Sequence, residues 1–134
     1  MLKLVECFGG SWLPILLKRV YDDPKASDGK RVLVDRLWPR GVGRDKAMID
    51  EWLKDLSPSD QLRKWFNHDP DKWDEFKKRY WKELESNEQL VLRLAKEAKK
   101  SKITFVFGSK EKEFNNAVAL KKYVENYIEH KTKS

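Results

Sequence analysis

Cysteine and histidine are scarce in this chain, which has one Cys and two His among 134 residues. The lone Cys7 excludes an internal disulfide, and His68 and His130 lie far from it and from each other in sequence. This spacing matches no Cys/His zinc motif. We therefore expect no metal site, and because no cofactor motif is recognised we expect no cofactor either.

Long apolar runs are also missing. The longest one near the start, Trp12 to Leu17, is much shorter than the ~20 apolar residues that span a bilayer. It also lacks the basic leader and the small-residue cleavage site of a secretory signal. We therefore expect a soluble, cytoplasmic protein without a membrane partner, and the scarcity of cysteine agrees with a reducing compartment.

Apolar residues are nevertheless plentiful enough for one core. Hydrophobic residues make up 40% of the chain and aromatic residues 12%, including six Trp, so the 38% of charged residues do not indicate disorder. A chain of this length is typical of one domain.

Basic residues are in excess, with a formal net charge of +7 that is concentrated in the C-terminal part. From Lys99 to Ser134 there are nine Lys and four Glu. Such an excess can attract nucleic acid or other anions. We favour the simpler interpretation that these lysines coat a helix and keep it soluble.

Runs of β-branched and aromatic residues predict three strands, over Ile15–Tyr21, Arg31–Asp35 and Ile103–Phe107. The second and third runs have almost no polar break, as in strands that are buried on both faces of a parallel sheet. A helical connection between them makes a right-handed, parallel crossover.

Apolar residues at helical spacing predict helices between and after these strands. The first begins at Asp45 and continues through Leu56, and Ser57 caps the second. A long helix opens at Asp69-Pro70 and bends near Ser86-Asn87. The last one follows Gly108-Ser109-Lys110 directly.

This order of elements predicts an α/β fold, a small single-domain layer with a short, mostly parallel sheet of about three strands covered by helices. We expect residues 14–130 to form this domain. Residues 1–13 are expected to be an N-terminal arm or a fourth, edge strand, and residues 131–134 a frayed tail.

Charged residues follow the second strand, at the place where open α/β sheets bind ligands. Asp35 is our candidate catalytic acid or base, and Arg36 offers a planar donor fork to a carboxylate or phosphate. The alternative is a structural Asp35–Arg36 ion pair.

Further along, Arg40 is a second anion contact or a loop anchor. Trp38 is expected to pack at the edge of the core, although its ring can also stack on a base or sugar.

A second group of polar residues follows the third strand and therefore emerges at the same edge of the sheet. Ser109 and Lys110 are predicted to lie at the N-terminus of the last helix, where amide groups and the helix dipole favour an anion. The alternative is an ordinary helix start that Ser109 caps. Asn115 either binds the ligand or ties the loop to Asp35. His68 is interpreted as a surface residue that supports the Asp69 cap.

Several segments also match a known family. They are Ser27-Asp28-Gly29, Val32 to Gly41, Asp50-Glu51-Trp52, Leu56 to Ser59, Leu62 to Phe66, His68-Asp69-Pro70, Phe76 to Leu84, and Lys110 with Asn115-Asn116-Ala117. In these segments the chain resembles the YeaO-like family of small bacterial and archaeal proteins. The most specific match is Asp-Arg-Leu-Trp-Pro-Arg-Gly, from Asp35 to Gly41. The family has no assigned activity, so the resemblance implies no reaction.

Two functions of different classes follow. The first is binding of a small anionic ligand, such as a nucleotide, sugar phosphate or carboxylate, in a basic crevice at the strand ends. Whether the ligand is turned over stays open; if it is, Asp35 acts as acid or base and the cations stabilise negative charge. The alternative is a nucleic-acid-binding or regulatory interaction module that uses the C-terminal lysines and exposed Trp38, Trp73 or Trp81, without a recognised nucleic-acid motif.

Overall fold

Four strands form the sheet of the protein, whose computed structural model describes residues 15–131. They are β1 (Leu16–Arg19), β2 (Lys30–Leu33), β3 (Glu51–Trp52) and β4 (Ile103–Phe107). Every pairing is parallel, in the order β1-β4-β2-β3. The predicted α/β class and the predicted parallel pairing of β2 with β4 are therefore confirmed.

Five α-helices accompany the sheet in the described part of the chain. They are α1 (Arg44–Ala47), α2 (Asp60–Phe66), α3 (Trp73–Leu84), α4 (Glu88–Lys100) and α5 (Asn116–Lys131). A 3-10 turn over Glu85–Asn87 separates α3 from α4, at the predicted bend. None of the helices in residues 15–131 is long and apolar enough to cross a membrane.

The two central strands are buried on both faces, which explains their almost unbroken apolar sequences. Val32, Phe105 and Phe107 point into the main core, which they share with buried residues of α2 to α5. Leu33 and Val106 point to the other face, into a smaller cluster with Val20 and Ala47. Alternation along each strand thus supplies both cores.

The predicted helix from Asp45 to Leu56 is wrong. Only Arg44–Ala47 is α-helical, Met48 has a φ of 50°, Glu51–Trp52 forms β3, and Lys54–Leu56 forms a 3-10 turn. The cause is the buried side chain of Arg31, whose Nη2 and Nε donate to the carbonyl of Ala47 at 2.8 and 3.1 Å. That oxygen is the acceptor a continuing helix would need, so the chain turns and pairs with β2.

Other predicted boundaries move by a few residues. Ser59, rather than Ser57, caps α2, because its Oγ accepts a hydrogen bond from the N–H of Leu62 at 3.2 Å. Asp69 caps the 3-10 turn Pro70–Lys72, and α3 begins after it. The strand β2 ends at Leu33, so Asp35 lies just beyond it.

The predicted arm over residues 1–13 lies outside the described residues. So do residues 132–134 of the predicted tail, while Lys131 is the last residue of α5. The division into arm, domain and tail therefore stays a prediction.

A network of four charged side chains fastens the edge strand β3. The carboxylate of Glu51 lies 2.6 Å from Nη2 of Arg93 on α4 and 2.9 Å from Nζ of Lys30 on β2. Glu97 contacts both cations as well. The hydrogen bond from Arg93, reinforced by Lys30, lowers the pKa of Glu51 from 4.5 to about 2, so the folded state favours the ionised carboxyl group.

We predict that Glu51→Gln lowers the free energy of unfolding by about 1 to 2 kcal/mol near neutral pH. This loss is smaller than the free energy that corresponds to the full pKa shift, because the network is partly exposed to solvent. The folded pKa lies below the unfolded one, so the contribution of Glu51 is complete above pH 4.5 and disappears as the pH falls towards 2. Urea unfolding of both proteins across this pH range measures the difference.

The matched control is Glu75→Gln, which removes an exposed i,i+4 pair with Arg79 on α3. Such pairs contribute little. Equal losses in the two variants at neutral pH would contradict a stabilising role of the Glu51 network.

Candidate functional site

A cavity of about 210 Å³ opens at the carboxyl ends of β2 and β4. It lies at the edge of the sheet where parallel strands deliver their following residues, as the sequence analysis expected. Its lining comes from the segments after β2 and β4, from α2 and the residues on either side of it, and from α3 and α5. The lining residues are Asp35, Arg36, Leu37, Ser57, Pro58, Arg63, Phe66, His68, Phe76, Ser109 and Asn116.

Asp35 connects three elements at the base of this site. Its Oδ2 accepts a hydrogen bond from the backbone N–H of Gly108, after β4, at 2.8 Å. Its Oδ1 accepts one at 3.2 Å from Nδ2 of Asn116, which also donates to the carbonyl of Val34 at 3.0 Å. A Cβ on Gly108 would lie only 3.2 Å from Asp35 Oδ2, so glycine lets the strand end come this close.

The electrostatic setting of Asp35 is unusual for a carboxylate. Burial raises the pKa of Asp35 above its ordinary value, although the hydrogen bonds from Gly108 and Asn116 and the charges of His68 and Arg63 act in the opposite direction. Within the described part of the chain, no Lys or Arg nitrogen lies within 4.0 Å of its oxygens. Asp35 thus lines the cavity without an ion-pair partner among residues 15–131.

Arg36 pairs with a different carboxylate from the one the sequence analysis considered. Its Nε lies 3.3 Å from Oδ1 of Asp60, and Nη2 of Arg63 lies 3.2 Å from the same oxygen. The structural Asp35–Arg36 ion pair is therefore wrong. One acidic oxygen holds two guanidinium groups together beside the cavity, and both side chains remain 42% and 49% exposed.

His68 lines the cavity from the turn after α2. Asn67 and His68 both have positive φ angles, 46° and 54°, so the helix ends in two consecutive left-handed residues. The ring Nδ1 lies 3.2 Å from the carbonyl oxygen of Phe114. A neutral ring that donates from Nδ1 keeps a lone pair on Nε2. His68 thus joins the turn after α2 to the segment before α5.

Aromatic side chains form the apolar part of the wall. The rings of Phe66 and Phe76 are stacked, with centroids 4.1 Å apart. Pro58 is buried beside the cavity, whereas Leu37 is 68% exposed. The cavity therefore combines an apolar wall with Asp35 and two guanidinium groups.

Two predicted ligand contacts after β2 do not line the cavity. The indole N–H of Trp38 donates to the carbonyl of Val42 at 2.8 Å, and its ring packs edge-on against Trp52 at 5.4 Å. It belongs to the smaller core cluster, in agreement with the packing interpretation. Arg40 is exposed, and its carbonyl accepts a hydrogen bond from the hydroxyl of Tyr21 at 2.9 Å.

The predicted start of the last helix at Lys110 is wrong, because α5 begins at Asn116. Side chains stabilise a loop there instead. Oγ of Ser109 accepts from the N–H of Glu111 at 2.9 Å, and the Glu111 carboxylate accepts from the N–H of Phe114 at 3.2 Å. Lys110 is exposed on this loop and is not part of the lining, whereas Ser109 is.

Asn115 is fully buried and caps α5. Its Oδ1 accepts from the N–H of Val118 at 3.0 Å, and its Nδ2 donates to the carbonyl of Glu111 at 2.7 Å. The connection to Asp35 that the sequence analysis considered for Asn115 is made by its neighbour, Asn116.

The structure thus brings Asp35, Arg36 and Ser109 together and adds residues that sequence reasoning did not select. The important additions are Arg63, His68 and Asn116, which come from other elements. All three lie inside segments that match the YeaO-like family. The sequence did offer a signal for these site residues. They are polar residues in the matching segments that serve neither as helix caps nor as part of the core.

We predict that Asn116→Ala raises the pKa of Asp35 further, because it removes a hydrogen bond that favours the ionised form. Titration of the side-chain carboxyl ¹³C shift measures this directly. Asn87→Ala is the matched control, since Asn87 donates to the carbonyl of Asp55 outside the cavity lining. An unchanged or lower pKa of Asp35 in Asn116→Ala would contradict the described hydrogen bond.

Comparison with known proteins identifies the family. A family model described as the inactive DUF488-N3 subclade matches residues 14–134. The chain is 43% identical over 106 residues to the uncharacterized protein YeaO of Escherichia coli K12, and the aligned region covers 79% of this chain and 92% of that protein. It is 44% identical over 77 residues to the uncharacterized protein Rv3073c of Mycobacterium tuberculosis H37Rv, and the aligned region covers 58% of this chain and 65% of that protein. No solved structure matches the chain. The chain therefore belongs to the YeaO-like family, in the subclade described as inactive DUF488-N3.

Proposed function

We propose that the cavity binds a small anionic ligand through Arg36 and Arg63. The observation that carries this proposal is the pair of guanidinium groups that share one oxygen of Asp60 beside the cavity. One carboxylate balances only one of the two positive charges. A ligand carboxylate or phosphate supplies the second negative charge and accepts hydrogen bonds from the planar donor forks.

The size of the cavity narrows the ligand class. A volume of about 210 Å³ lies below the roughly 300 to 1,000 Å³ that is typical of sites for drug-sized ligands. A single-ring carboxylate or a small phosphate is therefore favoured over a dinucleotide. The stacked rings of Phe66 and Phe76 supply an apolar wall for such a molecule.

We propose binding without turnover. The family model that matches this chain is described as inactive. The hydroxyl of Ser109 accepts a hydrogen bond from Glu111, and both oxygens of Asp35 accept hydrogen bonds from neighbouring segments. We therefore assign Asp35 a role in binding instead of the acid–base role that its position after β2 predicted.

The alternative nucleic-acid-binding module has less support. It relied on the C-terminal lysines and on exposed aromatic rings such as those of Trp38, Trp73 or Trp81, but Trp73 is buried and Trp38 and Trp81 are half-buried. The indole N–H of Trp81 donates to the carbonyl of Ala119 at 3.0 Å, inside the protein. These rings do not form an exposed stacking surface of the kind that single-stranded nucleic acids use.

We predict that Arg36→Met and Arg63→Met each weaken binding of benzoate and of inorganic phosphate by about tenfold, because each removes a charged donor from the ligand. Titrations followed by backbone amide NMR measure the dissociation constants and show which residues respond. Thermal unfolding without ligand checks that the variants remain folded.

Lys110→Met and Arg79→Met are the matched controls, because both remove a cation outside the cavity lining. We expect them to change the affinity by less than about twofold. A tenfold loss in Lys110→Met with none in Arg36→Met would contradict the assignment, and an absence of binding by every anion tested would overturn the proposed function.

A further inference from the structure

Asp35 is a half-buried carboxylate whose hydrogen bonds, among the described residues, come from neutral groups. The donors are the backbone amide of Gly108 and the side-chain amide of Asn116. Placing a carboxylate in a partly dehydrated site without an opposite charge in contact with it costs free energy. Each of its oxygens has capacity for one further hydrogen bond, and Asp35 lines the cavity.

The cations on the same cavity are already engaged elsewhere. Arg36 and Arg63 both contact Asp60. The cavity wall thus has a carboxylate that no cation of the described residues contacts, although Arg63 and His68 act on it from a distance. It also has a pair of guanidinium groups with more positive charge than Asp60 balances. A ligand with only an acidic group balances the two guanidinium groups but leaves the carboxylate of Asp35 without a cation in contact with it.

Apolar side chains complete the cavity lining. Phe66 and Phe76, which are stacked, and Pro58 are buried beside it. An apolar body fits such surroundings, because Leu37, Pro58 and these two rings line part of the cavity with apolar groups.

We propose that the natural ligand is amphoteric: a small molecule with a nitrogen cation that donates to Asp35, an acidic group that Arg36 and Arg63 bind, and an apolar body between them. This inference rests on the proposed function and adds the cationic end of the ligand. The pKa of Asp35 is raised because burial outweighs its hydrogen bonds and the charges of His68 and Arg63, which agrees with a carboxyl group that no cation contacts.

Two matched sets of probes test the inference on the whole chain. The first set is 4-(aminomethyl)benzoate, 4-methylbenzoate and 4-methylbenzylamine, in which the charges lie at opposite ends of a ring. The second is phenylalanine, 3-phenylpropanoate and 2-phenylethylamine, in which they lie close together. Within each set the size is similar, and the members carry both charges, the negative charge alone or the positive charge alone.

The expected result is that, in at least one set, the probe with both charges binds about tenfold more tightly than the purely anionic probe, as a charge-assisted hydrogen bond to Asp35 requires. Asp35→Asn should reduce this preference to less than about twofold while the anionic probe still binds. Asparagine keeps an oxygen that can accept from the Gly108 amide, so this variant preserves that contact.

A readout on the unmodified protein makes the test independent of how the variant folds. The amide proton of Gly108 reports the hydrogen bond to Asp35. The probe with both charges should shift this resonance, and the anionic probe should shift it much less.

The two proposals fail in different ways. If the purely anionic probes bind through Arg36 and Arg63 as tightly as the probes with both charges, the amphoteric ligand is overturned and the proposed function stands. If no anionic or amphoteric probe binds, both proposals are overturned. If the cationic probes bind alone and Arg36→Met has no effect, Asp35 is a cation site and the proposed function is overturned.

Discussion

The hydrogen bond between the carboxylate of Asp35 and the backbone of Gly108 is the contact on which the site depends. It joins the ends of the two central strands, and Asn116 extends the connection to the start of α5. A half-buried acid is a costly way to join two strands, since partial burial disfavours its charge. The proposed ligand, whose nitrogen cation donates to Asp35, would offset this cost.

Much of the framework was predictable from the sequence because the central strands are encoded locally. The continuous apolar runs of β2 and β4 indicate burial on both faces, and the helical connection between them fixes parallel pairing. From parallel pairing it follows that Asp35 and Ser109 emerge at one edge of the sheet. These two residues and Arg36 were placed in the site on that reasoning.

The remaining features depend on tertiary contacts that no local pattern records. The buried guanidinium group of Arg31 ends α1 by binding its last carbonyl group, although the spacing of apolar residues continued as in a helix. Hydrogen bonds that the side chains of Ser109 and Glu111 accept from backbone N–H groups hold a loop where a helix was predicted. Arg63 and His68 reach the cavity from α2 and from the turn after it. They do not follow a strand, so a prediction based on strand ends does not find them.

The most direct test of the proposed site is a crystal structure of the protein with 4-(aminomethyl)benzoate. We expect the amino group to lie within hydrogen-bonding distance of an Asp35 oxygen, the carboxylate to contact Arg36 or Arg63, and the ring to pack beside Phe66. Electron density for the probe on the exposed loop around Lys110 or Arg40, with the cavity empty, would contradict it.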